Sequence, residues 1–456
     1  MSEILEIFNA GLEAVDPSAC LMRSVRRQGS RLELGTHSYH LDGFRRVVVA
    51  GAGKAAAGMG AALEELLGNR ISRGLLVLPR GARAPFQRLS QAQASHPLPD
   101  RSGERAARRI LALLAEADEK TLAICLLSGG ASAMLAAPAP GTTLAEKREV
   151  TSLLLASGAT IVELNAVRKH LSRVKGGRLA AAAFPAAVLT LALSDVIGDR
   201  PEVIGSGPTF PDRSTFADAL SVLEKYGLRG RVPARAWAFL ERGAAGREVE
   251  TVKEDDPRLA RSAYQVIGNN RMALEAAREK AVQLGMKADI RAAELQGEAR
   301  DAARFLAGEA LRTREGMRPG ERCCLLAGGE TTVTVKGNGR GGRNQELVLA
   351  FALEIAGHEG IRMLSAGSDG MDGPTDAAGA VVDGTTIATA AACGLDAAAY
   401  LGRNDSYTFF MELDYRSGGR SQLKTGATGT NVMDLQVILL ERRPSPGTYV
   451  PAGISS

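Results

Sequence analysis

Short aliphatic runs alternate with segments of helical periodicity along most of the chain, a pattern typical of α/β architecture. In the first half, helical spacing predicts helices from the glycine turn after the first run through Leu67, from Leu144 to Ser157 and from Ile161 to Ser172. These patterns predict a Rossmann-like three-layer sandwich with a mainly parallel sheet. The runs expected to form its strands are Val47 to Ala50, Leu75 to Leu78, Leu122 to Leu127 and Val188 to Leu193.

A second α/β half is predicted after a charged, helical connection between about Ala217 and Asp256. Only Gly328 to Glu330 separate two of its expected strands, which is too short for a helical crossover, so we expect an antiparallel pair within a mixed sheet. We therefore predict two domains, residues 1–245 and 246–456, with no disordered tract before the last dozen residues. The expected strands of this half are Tyr264 to Ile267, Ala288 to Arg291, Cys324 to Ala327, Thr331 to Val335, Ile361 to Ser365 and Leu435 to Leu440.

Composition narrows the class of protein. The chain has 456 residues, of which 45% are hydrophobic and 23% charged, as expected for a globular protein of more than one domain. Its longest apolar runs are of strand length, so we expect no membrane segment. The five cysteines show no CxxC spacing, which favours reduced thiols and a cytoplasmic location. The net charge is +5, but acidic residues are interleaved and aromatics are only 4%, which argues against nucleic-acid binding.

The stretch from Leu126 to Arg178 carries the strongest signal for a ligand. Its opening residues, Ser128 to Ser132, follow an apolar run, and backbone N–H groups in such a turn can point at an anion. The stretch closes with the basic run Arg168 to Arg178 and contains no Cys pair and only one His. It therefore predicts a site for a phosphorylated ligand, although a solvated helix face is an alternative interpretation of the basic run.

The turn Gly51 to Ala56 fits the dinucleotide pattern GxGxxG/A after a strand, so an NAD(P) enzyme is a rival interpretation. The acidic ribose partner expected about twenty residues later is absent, although Arg80 at that place suits a 2′-phosphate. Lys54 favours a different ligand, because an ammonium at a helix N-terminus concentrates positive charge.

The residues also supply what phosphoryl transfer requires, namely cations, carboxylates for Mg²⁺ and backbone amides, without a Walker A motif. Several of these groups follow predicted strands, and ligands bind at the carboxyl ends of strands in open parallel sheets. A glycine turn that contains Asp is often only a turn, so no single one of these groups indicates a site. The prediction of phosphoryl transfer depends on their occurrence together at the ends of strands. The candidate groups are the cations Lys54, Arg173, Lys175, Arg340 and Arg343, the carboxylates Asp195, Asp199, Glu330, Asp369 and Asp376, and the turns at Ser128, Gly205 and Gly328.

Two sets of motifs resemble one enzyme family. The first half is similar to the amino-terminal domain of class II glycerate 2-kinases, and the second half is similar to their MOFRL domain. The resemblance covers nearly the whole chain. The motifs are Gly51 to Ala57, Ser128 to Ala133, Asn165 to Arg178, Ser194 to Asp199 and Gly205 to Thr209 in the first half, and Gly328 to Thr332, Gly339 to Glu346, Gly367 to Gly379, Asn404 to Tyr407 and Gly429 to Asp434 in the second.

The resemblance implies ATP-dependent, Mg²⁺-assisted phosphorylation of D-glycerate at its 2-hydroxyl, giving 2-phosphoglycerate, in a cleft between two domains. The family's proposed catalytic pair, a Lys and an Arg, corresponds to Lys54 and Arg343. Because some relatives are labelled hydroxypyruvate reductase, an NAD(P)-dependent reductase is the runner-up, and a non-catalytic nucleotide or sugar-acid sensor is the third hypothesis.

Within this mechanism, we expect Asp195 to be the general base or a Mg²⁺ ligand, with Glu330 and Asp369 as further metal ligands. We expect a monomer or homodimer. The residues expected to bind substrate or nucleotide are Gly53, Ser128, Gly129, Gly130, Ser132, Lys175, Asp199, Gly329, Glu330 and Arg340.

Overall fold

The computed structural model describes residues 2–442 and divides into two compact units. The parallel-sheet unit comprises residues 15–269 and 429–432, and the mixed-sheet unit comprises residues 2–14, 270–428 and the described residues from 433 onwards. These bounds differ from the predicted 1–245 and 246–456. One reason is the first helix, α1 (Ser2–Ala14), which packs on residues 270–283 and so belongs with the later part of the chain. The last dozen residues, for which we expect disorder, lie outside the described residues.

The parallel-sheet unit contains a small antiparallel sheet and a large parallel one. Its strands are β1 (Val25–Gln28), β2 (Arg31–Leu34), β3 (His37–His40), β4 (Arg46–Ala52), β5 (Ile71–Pro79), β6 (Ser90–Ala94), β7 (Thr121–Leu127), β8 (Ala187–Leu193) and β9 (Ser262–Gly268). Its helices are α2 (Pro17–Ser24), α3 (Ala56–Leu67), α4 (Arg101–Ala115), α5 (Ala131–Met134), α6 (Leu144–Ala156), α7 (Ile161–His170), α8 (Arg178–Ala183), α9 (Phe216–Lys225) and α10 (Ala234–Ala244).

The large sheet has the strand order β6-β5-β4-β7-β8-β9, and every neighbouring pair is parallel. This is the 3-2-1-4-5-6 order of dinucleotide-binding folds, in which the chain order reverses between β4 and β7. All residues of β7 and β8 are buried, which explains why they appear in the sequence as unbroken apolar runs. The predicted Rossmann-like class is confirmed.

One strand lies in a different sheet from the one predicted. We expect Tyr264 to Ile267 in the second half, but β9 pairs with β8 in the register Ala192 to Val266 and completes the parallel sheet. The assignment of this strand to the second half is wrong, because a strand belongs to the sheet of the strand with which it forms hydrogen bonds, whatever its position in the chain.

The mixed-sheet unit has the strand order β10-β11-β15-β12-β13-β14, and only β10 and β11 are parallel. The predicted mixed sheet is confirmed. Its strands are β10 (Lys287–Leu295), β11 (Arg322–Gly329), β12 (Ile361–Gly367), β13 (Gly379–Asp383), β14 (Gln422–Leu423) and β15 (Asp434–Glu441). Its later helices are α11 (Asn270–Gln283), α12 (Ala299–Gly316), α13 (Arg343–Glu354), α14 (Thr386–Ala392), α15 (Ala397–Gly402) and α16 (Ser406–Ser417).

The strand predicted at Thr331 to Val335 is wrong. Its backbone bonds instead to the segment just before residue 299, since Thr332 N donates to Gly297 O at 2.8 Å and Thr334 N donates to the Glu298 carboxylate at 3.0 Å. The antiparallel partner of β11 is β15, more than a hundred residues later in the chain. Among the described residues, no helix combines the length and the apolar character that crossing a membrane requires.

The segments that end β4 and β7 pack backbone against backbone. A Cβ atom at Gly51 would lie 2.1 Å from Leu126 O, and one at Gly53, where φ is +140°, would lie 2.0 Å from Ser128 Oγ. A hydrogen bond also joins the two segments, since Ala55 N donates to Ser128 Oγ at 3.0 Å. Glycine at both positions is therefore required for the two segments to touch.

We predict that Gly51→Ala lowers the free energy of unfolding of the parallel-sheet unit by at least about 2 kcal/mol, because a methyl group against backbone cannot escape by a rotamer change. Gly43→Ala is the matched control, since a Cβ there meets no atom within 4 Å, and we expect it to change stability by less than about 0.5 kcal/mol. Urea unfolding of both variants measures the difference, and equal midpoints would contradict this packing argument.

Candidate active site

The parallel-sheet unit brings two predicted groups together where the strand order reverses. Lys54, whose residue is half-buried, lies two residues before α3, and its backbone N–H donates to Gly129 O at 2.9 Å. Ser128 is 1% exposed, and its hydroxyl accepts the N–H of Ala55. The turn after β4 and the turn after β7 therefore form one structure, as the position of ligand sites in such sheets leads us to expect.

The next turn, after β8, places Asp195 beside the same structure. A Cβ at Gly129 would lie 2.4 Å from Asp195 Oδ2, so only glycine leaves room for that carboxylate. The amide of Asn431 donates to Asp195 Oδ2 at 3.0 Å. Our sequence reasoning missed Asn431 as a site residue, although it lies in the resemblance motif Gly429 to Asp434.

The backbone N–H groups of Gly129 and Gly130 remain available in this turn. Among residues 2–442, no protein group accepts a hydrogen bond from either of them. Gly130 has a φ of +83°, and Ser132 follows in the first turn of α5. Two adjacent N–H donors in a turn that contains a left-handed glycine form a concavity suited to an anion.

Lys175 is built into the interior rather than presented to solvent. It is 1% exposed, and its ammonium donates to Ser132 O and Ser132 Oγ, both at 2.8 Å, and to Gly205 O at 3.2 Å. Burial and then the charge of nearby Lys147 lower its pKa well below the ordinary value. Lys175 thus fixes the Ser132 turn to the Gly205 turn, and its predicted contact with substrate stays a prediction.

Other residues of the basic run are also internal. Lys169 forms a buried ion pair with Asp212 at 3.0 Å, and Arg178 donates to the backbone oxygens of Lys169 and Ser172 at 2.9 and 2.8 Å. Arg173 is exposed. A solvated helix face is therefore the wrong interpretation of this run. Asp199, the remaining predicted residue of this unit, has a φ of 50° and accepts a hydrogen bond from the Asn269 amide.

In the mixed-sheet unit, Arg343 begins α13 and is held by two carboxylates. Its Nε and one terminal nitrogen donate to Asp434 at 2.6 and 2.9 Å, and its other terminal nitrogen donates to Glu330 at 2.6 Å. Burial alone would lower the pKa of Arg343, but the charge and hydrogen bonds of Asp434 outweigh it and raise that pKa. Asp434 is 1% exposed and was missed as a site residue, although it ends the motif that starts at Gly429.

Two predicted residues near Arg343 have different surroundings. A Cβ at Gly329, where φ is +143°, would lie 2.3 Å from Leu295 O, so this glycine permits close pairing of β11 with β10. Arg340 is exposed, with its guanidinium carbon 4.5 Å from the ring centre of Tyr407. Neither observation tests the predicted contacts with substrate.

The predicted metal ligands do not form a protein-only cage. Asp369 is half-buried and accepts the N–H of Met371 at 3.0 Å, as in a local turn. Within residues 2–442, no three His, Cys, Asp or Glu side chains are grouped so that they could hold a metal ion. Asp195, Glu330 and Asp369 therefore do not fit a resident Mg²⁺ ion held by protein alone, whereas one or two carboxylates suffice when phosphate oxygens supply other ligands.

Comparison with known proteins identifies the family. Residues 3–241 match the family described as a domain of unknown function (DUF4147), and residues 323–434 match the MOFRL family. The D-glycerate 2-kinase of Thermotoga maritima is 42% identical, over 96% of this chain and 97% of its own. The chain belongs to the class II glycerate kinase family. The resemblance stated from the motifs is thereby confirmed.

Two further members of this similarity group are informative. A crystal structure of glycerate kinase from Thermotoga maritima matches with a TM-score of 0.82 at 40% identity, covering 96% of this chain and 98% of that one. A protein of Agrobacterium vitis named putative hydroxypyruvate reductase is 42% identical, over 87% of this chain and 99% of its own. Proteins similar to this chain therefore carry both names, glycerate kinase and hydroxypyruvate reductase.

Asp372 caps α13, the helix that Arg343 begins, and was also missed as a site residue. It is 1% exposed, and its two oxygens accept the N–H groups of Asn344 and Gln345 at 2.9 Å, which caps α13. Burial raises its pKa to about 6 despite these donors. The carboxylate form is therefore costly in the folded state.

We predict that the capping carboxyl makes the mixed-sheet unit less stable as the pH rises from about 4 to about 6. In that window the folded chain retains a proton that the unfolded chain, with an ordinary pKa of 3.8, has released, so the free energy of unfolding falls by about 3 kcal/mol. Urea unfolding at several pH values, with wild type compared with Asp372→Asn, isolates the effect. A stability difference between the two that does not change with pH would contradict it.

Proposed function

We propose that this chain is an ATP-dependent kinase that phosphorylates D-glycerate at its 2-hydroxyl, giving 2-phosphoglycerate and ADP. The observation that supports it most is the joined turn structure at the strand-order reversal, in a chain 42% identical to a D-glycerate 2-kinase along almost its whole length. Rossmann-type sheets bind nucleotides at such a position.

The turn after β7 is the proposed seat of the nucleotide phosphates. No described residue accepts a hydrogen bond from the backbone N–H groups of Gly129 and Gly130, and Lys54, whose own backbone N–H bonds to Gly129 O, is proposed to add a positive charge. Ser128 contributes by fixing the shape of the turn, because its hydroxyl is already bonded to Ala55 N. Backbone donors held in this way need no reorganisation when charge develops on a phosphate.

Asp195 is the proposed general base for the 2-hydroxyl of D-glycerate. The Asn431 amide occupies one of its oxygens and so fixes the direction of the carboxylate. In the proposed step, the hydroxyl oxygen attacks the γ-phosphorus in line while Asp195 takes the proton and ADP leaves. Mg²⁺, when carried in by the nucleotide, would supply further neutralisation of phosphate charge; its ligation by Asp195, Glu330 or Asp369 stays a prediction.

Arg343 is the proposed second cation of the reaction. Three of its five N–H groups are bonded to Asp434 and Glu330, which leaves two for oxygens of the transferring phosphoryl group. An Arg in this role increases the rate of phosphoryl transfer in other enzymes by roughly 10³ to 10⁵. The predicted cytoplasmic location and the monomeric or homodimeric state complete the proposal.

An NAD(P)-dependent hydroxypyruvate reductase is the second candidate, favoured by the name of the Agrobacterium vitis relative. The glycine pattern at Gly51 does not favour it, since Ser128 fills the space beside Gly53 and the glycines serve packing between two segments. Oxidation of NADPH by hydroxypyruvate, followed at 340 nm, tests this candidate directly. A sensor without catalysis would bind ATP and form no product over hours.

Phosphorus NMR of the product from ATP and D-glycerate tests the proposed reaction. We expect one new phosphomonoester resonance that matches authentic 2-phosphoglycerate, together with ADP. A match to 3-phosphoglycerate would place phosphate on the wrong carbon, and the absence of any phosphorylated product would overturn the kinase assignment.

We predict that Lys54→Ala lowers kcat by at least about 10³, because the reaction loses a cation near the transferred charge, while the thermal unfolding midpoint changes little. Lys120→Ala, at an exposed turn that precedes β7, is the matched control and should keep the wild-type kcat. A coupled assay for ADP with D-glycerate as acceptor measures both. Near-normal turnover of Lys54→Ala would remove this residue from the mechanism.

A further inference from the structure

A cavity of about 610 Å³ lies in the parallel-sheet unit, separate from the turns described above. Two of its walls are α7 and α9, and the third is the segment 200–214 that follows β8. Much of its lining is apolar, including Val162 and Ala166 of α7, Val203 and Phe210 of the segment, and Val222 of α9.

The size and lining of this cavity suit a small planar molecule. Pockets that enclose such ligands measure roughly 300 to 1,000 Å³ and combine apolar or aromatic walls with a few polar groups. Five acidic and three basic side chains line the cavity, and two of the basic ones are already paired, Lys169 with Asp212 at 3.0 Å and Arg200 with Glu202 at 2.8 Å. Neither pair leaves a free positive charge for a small carboxylate such as D-glycerate. An uncharged ring does not require a positive charge in order to bind.

One buried polar group faces this cavity with an unused donor. Asn165 lines the cavity and is 4% exposed, and its Oδ1 accepts the Ser206 hydroxyl at 3.1 Å. No group among residues 2–442 accepts a hydrogen bond from its Nδ2. If oxygen and nitrogen of the amide are exchanged, the Ser206 hydroxyl can still bond to it, and one polar end still lacks a partner. The Nδ2 atom itself is not fully buried, so water in the cavity reaches it, and an acceptor atom of a ligand would replace that water as its partner.

A short hydrogen-bond chain connects this amide to the proposed phosphate turn. The Ser206 hydroxyl that donates to Asn165 also lies 2.9 Å from Ser132 Oγ, which is part of the turn after β7. Ser206 is 2% exposed and has a φ of +66°, an uncommon conformation for a residue other than glycine. The cavity wall and the turn are thus two hydrogen bonds apart and share one rigid residue.

We propose that this cavity binds the adenosine part of ATP, with the purine against Phe210 and the Asn165 amide bonded to an acceptor atom of the purine or ribose. The phosphates then extend past Ser206 towards Gly129 and Gly130. The inference rests on the proposed kinase function and names the place of its nucleotide.

A bulky side chain at the edge of the cavity should block it. Val162 is 55% exposed and lines the cavity, whereas its neighbour Ile161 is 52% exposed and does not. We expect Val162→Trp to raise KM for ATP and Kd for ADP at least tenfold, with KM for D-glycerate within twofold of wild type. Ile161→Trp, the matched control, should leave all three constants within twofold.

Steady-state kinetics and calorimetric titration with ADP provide these constants. Unchanged affinity of Val162→Trp for both nucleotides would overturn the proposal, and so would a rise confined to KM for D-glycerate. If the wild-type protein showed no kinase activity with ATP and D-glycerate, the proposed function itself would be wrong. In that case, ADP titration of the wild type and of Val162→Trp still decides whether this cavity binds a nucleotide.

Photolabelling of the wild-type chain gives a measurement that does not depend on the folding of a variant. With 8-azido-ATP as the probe, we expect the labelled peptides to come from residues 162–222, and excess ATP to prevent the labelling. Labelling confined to other parts of the chain, or labelling that ATP does not reduce, would contradict the assignment.

Discussion

The structure of the proposed site depends on one steric constraint, the direct contact between the backbone that ends β4 and the backbone that ends β7. No side chain fits at Gly51 or Gly53, because Leu126 and Ser128 already occupy the space where a Cβ would lie. The contact aligns two turns at the place where strand order reverses, and the Ser128 hydroxyl secures them. Beside this contact, no acceptor among residues 2–442 bonds to the N–H groups of Gly129 and Gly130.

Buried and half-buried basic side chains are the second organising feature, and each is held by hydrogen bonds or ion pairs. Lys175 donates to three oxygens, Lys169 pairs with Asp212, and Arg343 is held by two carboxylates. Removing one partner of a buried ion pair such as Lys169 and Asp212 typically destabilises a protein by about 3 to 5 kcal/mol, so this pair holds its loop in a fixed position. The basic run that suggested an anion site is thus mainly a framework that supports the turns around it.

Much of the architecture follows from local patterns in the sequence. Buried parallel strands such as β7 and β8 have no polar face, so they are visible as uninterrupted apolar runs, and the glycine turns after them mark the edge of the sheet at which we propose that the ligand binds. The failures have a common cause, since Thr331 to Val335 and β9 are determined by partners that are distant in sequence or lie in another sheet. Local periodicity carries no information about such partners.

Residues that support others were the hardest to predict. Asp434, Asp372 and Asn431 each lie in a glycine-containing segment, where an isolated Asp or Asn usually indicates only a turn. Their roles become visible when Arg343, α13 and Asp195 are seen beside them. The motif resemblance contained all three residues, but it did not assign them roles.

The interleaving of the two units along the chain has a consequence for how the protein is made. Residues 429–432 complete a unit that otherwise ends at residue 269, and Asn431 is 236 positions from the carboxylate it orients. A ribosome therefore releases nearly the whole polypeptide before Asp195 acquires this neighbour. A partly synthesised chain would therefore contain the turn after β7 while Asp195, the proposed base, still lacked the Asn431 amide, so we expect activity to appear only once synthesis is nearly complete.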